Sequence, residues 1–322
     1  MSVPIRAAAL AASACLAAGT AAAHGVAGKR FFPATLATDD PFVADELSLP
    51  TISTLRQNPS DENPSATRET EFSSEFSKRI TPNLGLSLDG GWRVVAPKTG
   101  GTETGWNNFE ATLKYQFLKS GEHETILSLG AGLELGGTGT QRVGADRFNT
   151  FSPSFFFGKG MGDLPDGLPW LKPIAITGVI GPSIPLRSSH NTYGIDPDTG
   201  ASTVDVTQHP NTFRYGFALE YSLPYLQSAV RDVGLGAPFN RLIPLVEFAF
   251  ETPLDRGSGG KTIGTINPGF VWAGQSMQIG LEAILPVNDR SGRDVGAIFQ
   301  LHFFLDDLFP RSLGRPIFGG SS

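Results

Sequence analysis

Nine ionisable residues carry most of the chemistry that this sequence can offer: Glu110, Lys114, Glu134, Arg214, Glu220, Glu247, Glu251, Glu282 and His302. Each falls on the polar side of a segment whose other side is apolar, so folding should gather them into one enclosed space. Isolated buried charges are costly and need partners. Two readings stay open: a structural charge network, or a polar constriction that selects small solutes by size and charge. Acidic residues dominate the set, so an open passage would disfavour anions. Catalysis finds less support. A lipid-hydrolysing site needs a Ser–His pair with an orienting polar group at a membrane-facing edge. None of His24, His123, His190, His209 and His302 lies on an expected lipid face. No catalytic residue and no cofactor is expected.

Three smaller patterns carry less chemistry. Gly260-Lys261-Thr262 echoes a phosphate loop, but Asp255 stands where the motif's first Gly belongs and a strand follows instead of a helix. Asp196-Pro197-Asp198-Thr199-Gly200 does not meet the EF-hand pattern and reads as a loop turn. His24 would become the mature amino terminus, where amine and imidazole can chelate copper. No second His is near it in sequence, and a solvated terminus is the plain alternative.

Elements must position the nine residues, and composition restricts which. The 322 residues are 40% hydrophobic and only 17% charged, with 39 Gly, 24 Pro, 23 Phe and one Cys. Soluble proteins average roughly 25% charged residues. Acidic residues outnumber basic ones by 31 to 25, so there is no basic footprint for nucleic acid. One cysteine excludes zinc ribbons, CxxC redox sites and disulfide scaffolds. Met1 to Ala23 reads as a secretory signal peptide, with Arg6 as its positive start, Ala7 to Ala18 as its apolar stretch and Ala21-Ala22-Ala23 as its cleavage site. Cleavage removes Arg6 and Cys15. No later stretch reaches the roughly 18 apolar residues of a transmembrane helix, so an exported chain of this composition can cross a membrane only as a closed barrel.

Strict alternation supports that. In Trp106 to Phe117, Phe109, Ala111, Leu113, Tyr115 and Phe117 oppose Asn108, Glu110, Thr112, Lys114 and Gln116. Thr212 to Ser222, Ser276 to Leu285 and Asp294 to Leu305 repeat the pattern, and a helix would break it within one turn. Weaker strands are expected near 68–80, 84–95, 124–136, 147–158, 173–185, 241–252 and 262–273. Short turns face the periplasm and long loops face outward. By that rule the strand at 68–80 runs inward and needs a predecessor, for which Leu47 to Thr54 is the candidate. The count becomes twelve, even as single-chain bacterial barrels require. Two periplasmic connections are long, Gly160 to Lys172 and Pro224 to Asn240, the second able to hold a short helix. Trp92, Trp106, Trp170, Tyr215, Tyr221 and Trp272 suit interface girdles. Gly130, Gly132, Gly216, Gly269 and Gly280 leave room inside for a solute or for the N-terminal segment.

The expected fold is all-β, a transmembrane antiparallel β-barrel of about twelve strands. It divides into a signal peptide (1–23), an N-terminal plug or cap segment (24–46), the barrel (47–305) and a C-terminal periplasmic tail (306–322). The whole mature chain also resembles a family of bacterial outer-membrane transporters associated with phenol meta-cleavage pathways. The resemblance rests on His24-Gly25 through Phe31-Phe32-Pro33-Ala34-Thr35, on Asp45-Glu46-Leu47-Ser48-Leu49-Pro50, and on His302-Phe303-Phe304-Leu305-Asp306-Asp307-Leu308-Phe309-Pro310 with Leu313-Gly314-Arg315-Pro316. It implies an outer-membrane barrel that passes small, often aromatic or hydrophobic molecules. Expected partners are outer-membrane lipid and lipopolysaccharide, the barrel-assembly machinery and a small-molecule solute, with no nucleic acid. A non-specific small-solute porin and a plugged, non-conducting structural or binding barrel are the alternatives, with a lipid-modifying enzyme more remote.

Overall fold

A computed structural model describes residues 25–59, 65–195, 199–257 and 259–319. The expected signal peptide and His24 lie outside the described residues, as do Asp196, Pro197 and Asp198. Twelve long strands follow one another along the chain. They are β1 (Glu46–Gln57), β2 (Thr67–Thr81), β3 (Leu84–Pro97), β4 (Phe109–Ser120), β5 (Thr125–Leu135) and β6 (Thr150–Gly160). The second half continues with β7 (Ile174–Pro185), β8 (Thr212–Tyr221), β9 (Leu242–Pro253), β10 (Ile263–Ala273), β11 (Met277–Pro286) and β12 (Arg293–Phe304). Each pairs antiparallel with the next, and β12 pairs with β1, which closes the sheet. At 10 to 15 residues each, the strands meet the roughly 9–11 that a tilted membrane crossing requires.

The alternation read from the sequence becomes two surfaces. Tyr115, Leu129, Phe155, Ile180, Tyr215 and Phe250 stand in register across β4 to β9. They form one continuous apolar row on the outside. A second outer row runs Leu127, Phe157, Gly178, Phe217, Phe248, Ile266 and Leu285. Phe72, Leu88, Tyr115 and Leu129 are about half exposed, which suits hydrocarbon contact and would be unusual for a surface facing water. Inward positions include the buried polar residues Ser128, Thr177, Glu247, Asn267, Gln278 and Gln300, beside buried apolar ones such as Ile126, Phe156, Val271 and Ile298. Closure gives each of the twelve long strands a hydrogen-bonded neighbour on both sides, as a membrane interior demands.

Three expectations shift. The strand read from Trp106 begins instead at Phe109, because Asn107 and Asn108 turn their amides away to carboxylates. Asn107 Nδ2 donates to Glu71 at 2.6 Å and Asn108 Nδ2 to Glu134 at 2.7 Å. Trp106 closes a short strand, Glu103–Trp106, that pairs with β3 and sets its indole edge-on against Trp92 at 5.2 Å. The long loop after β7 is a hairpin, Ser189–Ile195 with Ser202–Gln208. Of the expected girdle residues, Trp170 sits in a helical turn, Pro169–Leu171, of the connection between β6 and β7. In the connection after β8, Leu223–Tyr225 and Leu226–Val230 are short helical turns, capped by the Ser222 hydroxyl on the Tyr225 N–H.

Candidate functional site

Residues 25–45 run inside the barrel. Buried backbone N–H and C=O groups must find partners, and here the inner wall supplies them from four strands. Glu247 on β9 accepts three successive N–H groups, from Leu36 (2.6 Å), Ala37 (2.9 Å) and Thr38 (2.7 Å), and the Thr38 hydroxyl at 2.8 Å. Gln278 on β11 clamps Ala34 from both sides, accepting its N–H at 3.2 Å and donating to its carbonyl at 2.7 Å. On β4, Lys114 donates to the Asp40 carbonyl at 2.7 Å and lies 3.6 Å from its carboxylate, while Gln116 accepts the Val43 N–H at 3.4 Å. Ser128 on β5 donates to the Pro41 carbonyl at 2.5 Å.

Wall glycines make the space. A Cβ on Gly280 would stand 2.6 Å from Leu36, one on Gly216 2.6 Å from Thr38, one on Gly158 2.9 Å from Pro41 and one on Gly85 2.9 Å from Val43. The segment therefore lies against the wall at these four glycines. The other glycines expected to open the lumen do not receive it. Neighbouring groups of the wall fill Gly130 (Phe156), Gly132 (Glu110) and Gly269 (Glu282 and the Leu281 carbonyl).

At the periplasmic end the segment is tied down by a wholly buried arginine. Arg30 pairs with Glu124 at 3.1 Å, donates to the carbonyls of Pro173 (2.9 Å) and Lys172 (2.5 Å), and stacks 3.7 Å above the Tyr225 ring. Burial and the Glu124 carboxylate push the Tyr225 phenol up to about 12, so it stays protonated beside that carboxylate. Two long periplasmic connections thus hold the segment between them. At the foot of β1 and β2, the buried Asp45 carboxylate accepts Lys78 (2.7 Å), the Arg79 guanidinium (2.8 Å) and the Arg79 N–H (2.7 Å). Lys78 and Arg79 in turn bind the carbonyls of Leu313, Gly314 and Arg315, folding the chain's end against this rim.

Space remains on the inner side of the wall. A chamber of about 480 Å³ opens toward the long-loop end, floored by Ala37, Thr38 and Asp39. Arg214 and Glu251 line it, facing one another in register on β8 and β9. An acidic recess of about 220 Å³ collects Glu71, Asp89, Glu110 and Glu134, with Arg93 as its cation. About 60 Å³ is left between the segment and the wall near Glu75, Lys114 and His302. Of the nine residues singled out by sequence, Glu247 and Lys114 hold the segment, Arg214 and Glu251 line the chamber, and Glu110 and Glu134 line the recess. Glu220 is buried against Thr177 at 3.4 Å. Glu282 is buried beside Gly269, diagonal to Glu247 across β10.

His302 meets Ser48 at 2.9 Å and approaches Glu46 at 3.6 Å. This Ser–His–Glu grouping has the residue types of a hydrolase. It faces the 60 Å³ space, which Ala34, Thr35, Phe42 and Ala44 of the segment help to wall, and that volume is too small for an acyl substrate while the segment is in place. Among the described residues, no group of three or more His, Cys, Asp or Glu is placed to hold a metal ion. Charge alone does not single out Gln278, Gln116 and Ser128, which also hold the segment. Their parity in the sequence is inward, but an uncharged side chain carries no local signal of a distant partner.

The register, the closed sheet and the apolar outer rows define the class: a twelve-stranded transmembrane β-barrel of the bacterial outer-membrane type, carrying its own N-terminal segment inside. The sequence matches no protein-family model and no curated protein. Several solved structures are similar in form. The beta domain of the Bordetella autotransporter Brka superposes with a TM-score of 0.46 at 9% identity, over 81% of this chain and 99% of that one. The NanC porin gives 0.44 at 9% identity, over 80% and 98%. The toluene transporter TbuX of Ralstonia pickettii gives 0.38 at 11% identity, over 80% and 88%. Scores of this size carry no argument about cargo.

Proposed function

We propose that this protein is an outer-membrane channel for small molecules, gated by residues 25–45. The observation that carries the reading is the 480 Å³ chamber above the segment. It lies within the range of small-molecule pockets, roughly 300–1,000 Å³, and it opens toward the long-loop side. A solute entering there meets Arg214, Glu251 and the segment's own Asp39, so passage onward requires the segment to shift. Aromatic cargo, which the resemblance to phenol-pathway transporters implies, fits the chamber's size and its Val179 and Ala249 wall. The protein is not an enzyme on this reading.

Planar-bilayer recording tests it. The full chain should show small, infrequent openings, and deletion of residues 24–45 should give a large, steady conductance. Phenol added at millimolar concentration should reduce that conductance where a hexose does not. Equal conductance with and without the segment would sink the gating. A second reading, a closed binding barrel without conduction, is favoured by the buried Arg30–Glu124 anchor. It predicts no opening of the full chain under any voltage or solute.

A further inference from the structure

The outer face carries a cationic row that the channel reading does not use. Arg293 on β12, Arg56 on β1 and Arg68 on β2 stand side by side in register. Lys98, just beyond β3, joins them around a surface cavity of about 250 Å³. Like charges directly opposite one another on neighbouring strands are destabilising, and Arg56 has one on each side. The carboxylate that pairs here among the described residues is Asp294, 3.2 Å from Arg56 and 3.7 Å from Arg293. Arg68 and Lys98 make no ion pair among the described residues, and residues 60–64, with Asp61 and Glu62, lie outside them.

Height on the barrel points to the missing anion. Ile52, Phe72 and Trp92 form an apolar row on the same outer face, in register across β1 to β3. Arg56 and Arg68 are four residues farther toward the long loops. Four residues of strand rise about 13 Å before tilt, which sets the guanidinium groups where the hydrocarbon band ends. At that level in the outer leaflet of a bacterial outer membrane lie the phosphates of its glycolipid. Guanidinium groups bind phosphate through paired, charge-assisted hydrogen bonds.

We propose that Arg56, Arg68, Arg293 and Lys98 form a binding site for the phosphate of an outer-leaflet phosphoglycolipid, held against the outside of β12, β1, β2 and β3. The inference rests on the outer-membrane placement but not on channel activity. The test titrates the folded full chain in detergent micelles with purified lipopolysaccharide, with its dephosphorylated form and with inorganic phosphate. The wild type should bind the phosphorylated glycolipid about tenfold more tightly than the dephosphorylated one. Arg56→Gln with Arg68→Gln should lose about that factor. Arg142→Gln, which removes a rim cation paired with Glu103, should bind as the wild type does.

Equal binding by the double variant and the wild type overturns the proposal, as does equal binding of the two glycolipids. Displacement by inorganic phosphate at concentrations comparable to the glycolipid's would show a free-anion site and also overturns it. Heat-modifiable migration confirms a folded barrel. Should the double variant fail to refold, Arg68→Gln with Lys98→Gln carries the same expectation. Cell fractionation reports outer-membrane placement independently, so failure of that reading is separable from failure of this one.

Discussion

Glu247 shows how one buried carboxylate can organise a lumen. Fully buried, it is matched to three backbone N–H groups and a hydroxyl of the segment. Glu247→Ala leaves those donors without acceptors and should weaken docking of the segment by on the order of 3 kcal/mol. The expected result is protease cleavage within residues 25–45 while the barrel keeps its heat-modifiable migration. A segment that stays protected would contradict this role. Glycine substitutions separate the segment's seat from the wall itself. Gly280→Val meets a movable Leu36 side chain and should displace the segment, raising conductance in an intact barrel. Gly269→Val meets the Leu281 carbonyl at 2.2 Å and should impair barrel assembly. Matching phenotypes for the two would refute the distinction.

At the scale of elements, the outer hairpin 189–208 rests on a histidine pair. His190 Nδ1 lies 2.9 Å from His209 Nε2, and His209 packs 4.1 Å from the Phe148 ring. Burial holds the His209 imidazole below its ordinary value near 6.5, with His190, Arg187 and Arg256 adding repulsion. A folded pKa below the unfolded one means the packing is fully favourable above about 6.5 and weakens as pH falls beneath it. A nitroxide placed by Tyr193→Cys should gain mobility between pH 7.5 and 5, and His209→Gln should flatten the change. Mobility independent of pH in the wild type would count against the pair. The strands themselves were legible from alternation, since parity fixes which side faces lipid. The break at Asn107 and Asn108 was not, because their partners Glu71 and Glu134 are remote in sequence.

At the scale of the whole molecule, inward acidic groups outnumber inward bases. Glu71, Asp89, Glu110 and Glu134 surround one recess with Arg93 as the sole cation among its lining residues. With residues 24–45 deleted, the reversal potential in a KCl gradient should shift toward that of potassium. Anion selectivity would contradict the placement of these charges.

Composition, the period of two and the parity of turns and loops determined an all-β barrel of twelve strands, because those signals are local and repeat along the chain. They also placed Glu247, Lys114 and the glycines on the inner face. Only the tertiary structure decided what meets them. The lumen's contents depend on contacts such as Leu36 with Glu247 and Ala34 with Gln278, which are more than two hundred residues apart. Side chains separated that far are brought together by closure of the sheet, and no periodicity within one strand encodes it. High glycine content therefore indicated a hollow, and the fold showed that the chain's own N-terminal segment occupies much of it.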